Sequence, residues 1–143
     1  MSFFSRILFA VAVLLCLSLS VSAKGYLATR ATKLPELVLG TDATGYEISQ
    51  REYQLETGKA YRLKIRSTGA KEYAFEAPEF FKFIWLRKVE AGGLEIKASH
   101  VYELEFEDEA ECEIFFVPIR PGRYKFRARG LEKQGVFGHF IVE

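Results

Sequence analysis

The chain has 143 residues, with little cysteine, almost no methionine and two histidines. Cys16 lies in the first apolar stretch and Cys112 in the body of the chain, so a structural disulfide framework is excluded. Met1 is the sole methionine, and His100 and His139 are the only imidazoles. Charge of one sign is missing too. Arg6 is the only base before residue 24 and no acid precedes it, which leaves 19 bases against 19 acids in the remainder. A neutral balance removes the usual basis for nucleic-acid binding, which is a strong positive excess. Long apolar runs occur only at the start.

That start reads as a secretory leader over residues 1–23. Arg6 gives a short basic region, an apolar core follows from Ile7 to Leu19, and Val21-Ser22-Ala23 offers small residues for cleavage. The run falls short of the roughly 20 residues needed to span a bilayer. Leu15 before Cys16 is too large for a bacterial lipidation signal. The expected product is soluble, exported and periplasmic in a bacterial source, with no integral membrane segment once the leader is removed.

Residues 24–45 read as an extended N-terminal segment, with Leu37-Val38-Leu39 as a short candidate strand. Residues 46–143 carry the alternation of half-buried strands. Tyr61, Leu63 and Ile65 alternate with Arg62, Lys64 and Arg66; Tyr102, Leu104 and Phe106 with glutamates; Tyr124, Phe126 and Ala128 with Lys125, Arg127 and Arg129. Gly69, Gly92-Gly93, Pro121-Gly122 and Gly135 punctuate the runs. About eight strands are expected, in an all-β, Greek-key, antiparallel sandwich. A short turn is expected within Glu76–Phe83.

Motifs late in the chain carry a resemblance. Phe116-Val117-Pro118-Ile119-Arg120-Pro121-Gly122-Arg123-Tyr124-Lys125-Phe126 resembles the approach to the copper loop of cupredoxins, the blue-copper family of plastocyanin and azurin. Gly138-His139-Phe140-Ile141-Val142 resembles that family's last strand, and Leu63 to Gly69 its strand into an Asn-Thr-Gly turn. Phe75 to Phe81 is similar to a periplasmic cupredoxin-like branch. The resemblance implies a cupredoxin-like fold over residues 46–143. It also implies that the four copper-ligand positions are Tyr73, Ala128, Leu131 and Val136, none of which is a histidine, cysteine or methionine. A blue-copper site needs two imidazoles and a thiolate. The implied protein is therefore a periplasmic accessory or binding protein without a type 1 copper site and without a cofactor. The alternative is a copper- or iron-handling or electron-transfer protein with an atypical metal site.

Other candidates come from the residues themselves. Cys112, between Glu111 and Glu113, reads as a buried thiol, because neighbouring negative charge and burial both raise its pKa. Seven carboxylates fall between Glu103 and Glu113. They suit hard cations, but equally the solvated faces of a charged hairpin. His100 has no second histidine near it. Phe80 and Phe81 cannot both point inward from one strand, so one is expected at an exposed docking patch. Arg123, Lys125, Arg127 and Arg129 recur at every second position, and their common face either steers an acidic periplasmic protein partner or is neutralised by the acid-rich segment. No nucleophile–base pairing is legible, and the chain is read as not an enzyme.

Overall fold

The computed structural model describes residues 27–143, so the expected leader, residues 1–23, lies outside the described residues. Strands dominate. They are β1 (Thr32–Lys33), β2 (Leu37–Leu39), β3 (Glu52–Leu55), β4 (Tyr61–Thr68), β5 (Tyr73–Glu76), β6 (Ile84–Ala91), β7 (Leu94–Ile96), β8 (Leu104–Phe106), β9 (Glu109–Pro118), β10 (Gly122–Ala128) and β11 (Phe137–Val142), with helix α1 (Pro78–Lys82) and a 3-10 turn at Glu132–Gln134. One sheet runs β1-β4-β9-β6-β7, with β2 also on β4; the other runs β3-β11-β10-β5-β8.

The alternation places the core correctly. Tyr61, Leu63 and Ile65 face inward from β4, and Cys112, Ile114 and Phe116 do so from β9 beside it. From the second sheet Tyr53, Phe75, Phe126 and Phe140 meet them. Each large apolar side chain so buried contributes about 1.5–3 kcal/mol. Gly138 is fixed by packing. A Cβ there would run into the Phe126 ring and the Arg51 carbonyl.

Several expectations need correction. The sandwich is not wholly antiparallel, because β1 and β2 pair parallel with β4, and β3 pairs parallel with β11. More strands occur than the eight expected, since segments of two and three residues are too short to show a period. Residues 32–39 do more than extend ahead of the domain. Their Leu37 and Leu39 are core residues, opposite Ile65 and Ser67. Finally, the run Glu103 to Glu113 is no hairpin: β8 belongs to one sheet and β9 to the other, and the chain crosses the sandwich between them. Tyr102, expected on an apolar face, is exposed before β8 begins.

Phe80 and Phe81 are both buried, which removes them as a docking surface. The strand argument fails because they sit on α1, where successive side chains diverge by about 100° and neither face of a sheet is involved. Pro78 occupies the first turn, Glu79 lies near the N-terminal end and Lys82 near the C-terminal end, as the helix dipole favours. The helix packs across the end of the core, and the Phe80 ring stacks on Phe140 at 4.1 Å between centroids.

Candidate functional site

The β10–β11 connection brings three of the four positions singled out by resemblance into one backbone knot. Ala128 N–H donates to the Val136 carbonyl at 3.0 Å, Leu131 N–H to Ala128 at 3.0 Å, and Val136 N–H to Leu131 at 3.2 Å. Arg129 N–H donates to Ala74 at 2.8 Å, which places Tyr73 at the same end of the five-stranded sheet. Gly135 closes the loop with φ of 91°, a conformation that favours glycine. Ala128 and Val136 are buried and Leu131 is half-buried. Tyr73 is fully buried and its hydroxyl donates to the Gly45 carbonyl at 2.7 Å; burial raises its pKa. The four side chains offer one phenol and three hydrocarbon groups.

That donor set does not fit copper. Among the described residues, the remaining soft or imidazole donors are elsewhere: Cys112 on β9 of the other sheet, His139 outward on β11, and His100 in an exposed loop. His139 Nδ1 accepts a hydrogen bond from Arg123 Nη2 at 3.1 Å. Partial burial first, and the Arg123 charge next, hold its pKa below the usual histidine value. Among the described residues, no three of the His, Cys, Asp and Glu side chains are grouped as a metal ion would need.

Cys112 faces inward with 7 % of its surface exposed. Burial chiefly, with the Glu111 charge, pushes its pKa to about 12. It borders a shallow groove of about 370 Å³ that is also lined by Lys64, Glu90, Glu95, Glu111 and Glu113. The carboxylates there are already engaged. Lys64 binds Glu111 at 2.7 Å, Arg62 lies 3.7 Å from Glu113, and Lys88 bridges Glu90 and Glu95.

The basic row of β10 and the turn after it projects from one face, as its spacing requires. Three members are paired inside the domain: Arg123 with Glu52 at 3.2 Å, Arg127 with Glu76 at 3.0 Å and Glu132 at 3.2 Å, and Arg129 with Glu103 at 2.9 Å. Lys125 instead lies over the Phe137 ring, 4.5 Å from its centroid. The acid-rich segment supplies only Glu103 to this row; its Glu111 and Glu113 serve β4. Sequence reasoning missed Glu76. It is 5 % exposed, and a buried carboxylate is tolerated only when paired and hydrogen-bonded. Arg127 Nε and Nη2 both donate to it, while Arg129 Nε stands 3.4 Å away. No local pattern marks it, because its partners lie more than fifty residues on.

Solved structures share the fold of this chain. A multicopper oxidase from Campylobacter jejuni matches at 12% identity and a TM-score of 0.60, over 80% of this chain and 31% of its own. Copper nitrite reductase from Nitrosomonas europaea matches at 9% and 0.60, over 85% and 52%. A multi-copper oxidase from Pseudomonas thermotolerans matches at 14% and 0.59, over 79% and 30%. The chain has a cupredoxin-like fold. It spans about a third to a half of the length of these proteins, and at such identities the likeness shows the fold alone. No protein-family model and no curated protein matches the sequence. One expectation is overturned: the cupredoxin-like structures matched are themselves enzymes, so a missing nucleophile–base pairing does not set this fold apart from catalysis. Among the described residues, no helix is long and apolar enough to cross a membrane.

Proposed function

We propose that the chain is an exported, periplasmic cupredoxin-like accessory or binding domain whose copper end is closed by side chains that cannot hold a type 1 centre. The observation that carries this is the knot of Ala128, Leu131 and Val136. Three backbone hydrogen bonds gather it, while its side chains are hydrocarbon and two of the three are buried. Export rests on the composition of residues 1–23. An accessory role implies a protein partner in the same compartment. With Phe80 and Phe81 in the core and three of the four basic residues paired internally, Lys125 is the member of the row left to meet an acidic partner.

The test is to add Cu(II) to the purified protein and record the visible spectrum with elemental analysis. Neither an intense thiolate-to-copper band nor a stoichiometric bound metal is expected. A single tightly held copper or iron per chain would replace this proposal by the metal-handling or electron-transfer reading, with a site built from other donors.

A further inference from the structure

Strand β7 ends the six-stranded sheet, and its far edge is free among the described residues. Two core rows run out to it. Leu63, Ile114, Val89 and Ile96 form one across β4, β9, β6 and β7; Ile65, Cys112, Ala91 and Leu94 form the other. The inner members are buried, apart from a half-buried Ala91, but the second sheet does not reach the last ones. Leu94 is 68 % exposed and Ile96 43 %. An apolar, unpaired strand edge is a template for another strand.

The geometry of the hairpin says which groups that edge offers. Gly92 and Gly93 form the two-residue loop, both with positive φ, so Ala91 and Leu94 are the closing hydrogen-bonded pair. Alternation then makes Val89–Ile96 hydrogen-bonded and Glu90–Glu95 not. The N–H and C=O of Glu95 therefore point away from β6, and extending the strand past its last residue, Ile96, would bring those of Lys97 to the same edge. The sequence along this edge is Leu94-Glu95-Ile96-Lys97-Ala98, with opposite charges either side of an isoleucine. We propose that β7 pairs antiparallel with β7 of a second copy of this chain, with Ile96 on the twofold axis. In that register Glu95 of each copy exchanges both backbone hydrogen bonds with Lys97 of the other. The two isoleucines meet as a close non-hydrogen-bonded pair, and Leu94 faces Ala98 across the axis.

Charge selects the copy as the partner. A single-sign edge would repel itself, whereas here both cross-strand pairs are oppositely charged. Within one copy Glu95 already meets Lys88 and Lys97 on the outer face. Its carboxylate is thus ionised and held next to the edge where the second lysine arrives. The contact is small, so the dimer is concentration-dependent.

Sedimentation of the purified protein up to about 1 mM tests this, with variants that reverse the edge charges. Twice the chain mass is expected for the parent at the upper concentrations. Glu95→Lys alone and Lys97→Glu alone each turn two attractive pairs into repulsive ones and should weaken dimerisation about tenfold or more. Mixing the two single variants restores complementarity, so a mixed dimer should form where neither variant pairs with itself. Both side chains are at the surface, and unchanged far-UV dichroism confirms that the variants fold. A parent that stays monomeric throughout overturns the proposal. So does a dimer that both single reversals leave intact, or a mixture that fails to recover it.

Discussion

Replacing Phe80 by alanine removes a ring that has no exposed surface. It stacks on Phe140 with 4.1 Å between centroids and meets Phe116 edge-on at 5.3 Å. Tyr124 and Phe81 stand 5.8 and 6.2 Å away. Burial of such a side chain is worth about 1.5–3 kcal/mol. The two nearest ring pairs add about 0.5–1.5 kcal/mol each. The sum agrees with the roughly 3–5 kcal/mol that buried Phe→Ala changes cost. For a domain of this size a kcal/mol moves the melting temperature by roughly 4 °C, so a drop of about 12–20 °C is expected. Calorimetry of the parent and variant measures it, and Trp85→Ala is the control, since that ring is partly exposed at the outer face. The control should lose about 1 kcal/mol. A Phe80→Ala shift below about 4 °C, or one no larger than the Trp85→Ala shift, would refute the placement of α1 over the core.

Further predictions follow from the charges and the thiol. Changing Arg127 and Arg129 together to glutamate strands the buried Glu76 among like charges. The expected loss is about 3 kcal/mol or more by denaturant titration, against almost none for Lys125→Glu. His139 has a folded pKa below its unfolded value of 6.5, so the unfolded chain binds the extra proton first. Its effect is absent above that pH, and stability is lost as pH falls from there toward the folded pKa. His139→Gln should therefore melt with a shallower decline than the parent as pH falls below about 6.5. Cys112, with its pKa at about 12, stays protonated at pH 8. Alkylation should be slow in the native protein and fast in denaturant, and a native rate equal to the denatured one contradicts the burial.

What was legible in the sequence was the inward face of each long strand. Leu63 and Ile65 on β4, or Ile114 and Phe116 on β9, declare themselves because a period of two acts within a few residues. Partners do not. Nothing in Leu37-Val38-Leu39 states that it lies parallel to β4, since parallel and antiparallel ladders share the same alternation. The helix at Phe80-Phe81 is a single turn, too short for a helical period, and only Pro78 hints at it. The acid run looked like one hairpin because its alternation continues on both sides of Asp108, although the chain changes sheets there. At the candidate site, the resemblance pointed to Ala128, Leu131 and Val136, and the backbone bonds do gather them. Glu76 escaped because its environment is made by Arg127 and Arg129, which are remote in sequence.

The central proposal is that Tyr73, Ala128, Leu131 and Val136 stand at the copper-ligand positions that the resemblance to cupredoxins implies, and that their side chains alone prevent copper binding. The direct measurement is the visible spectrum with Cu(II) of the combined variant Tyr73→His, Ala128→Cys, Leu131→His and Val136→Met, beside the parent. The account predicts an intense blue thiolate-to-copper band in the variant and none in the parent. A folded variant without the band would contradict the assignment of the four positions, and a band in the parent would contradict the claim that its own side chains exclude the metal.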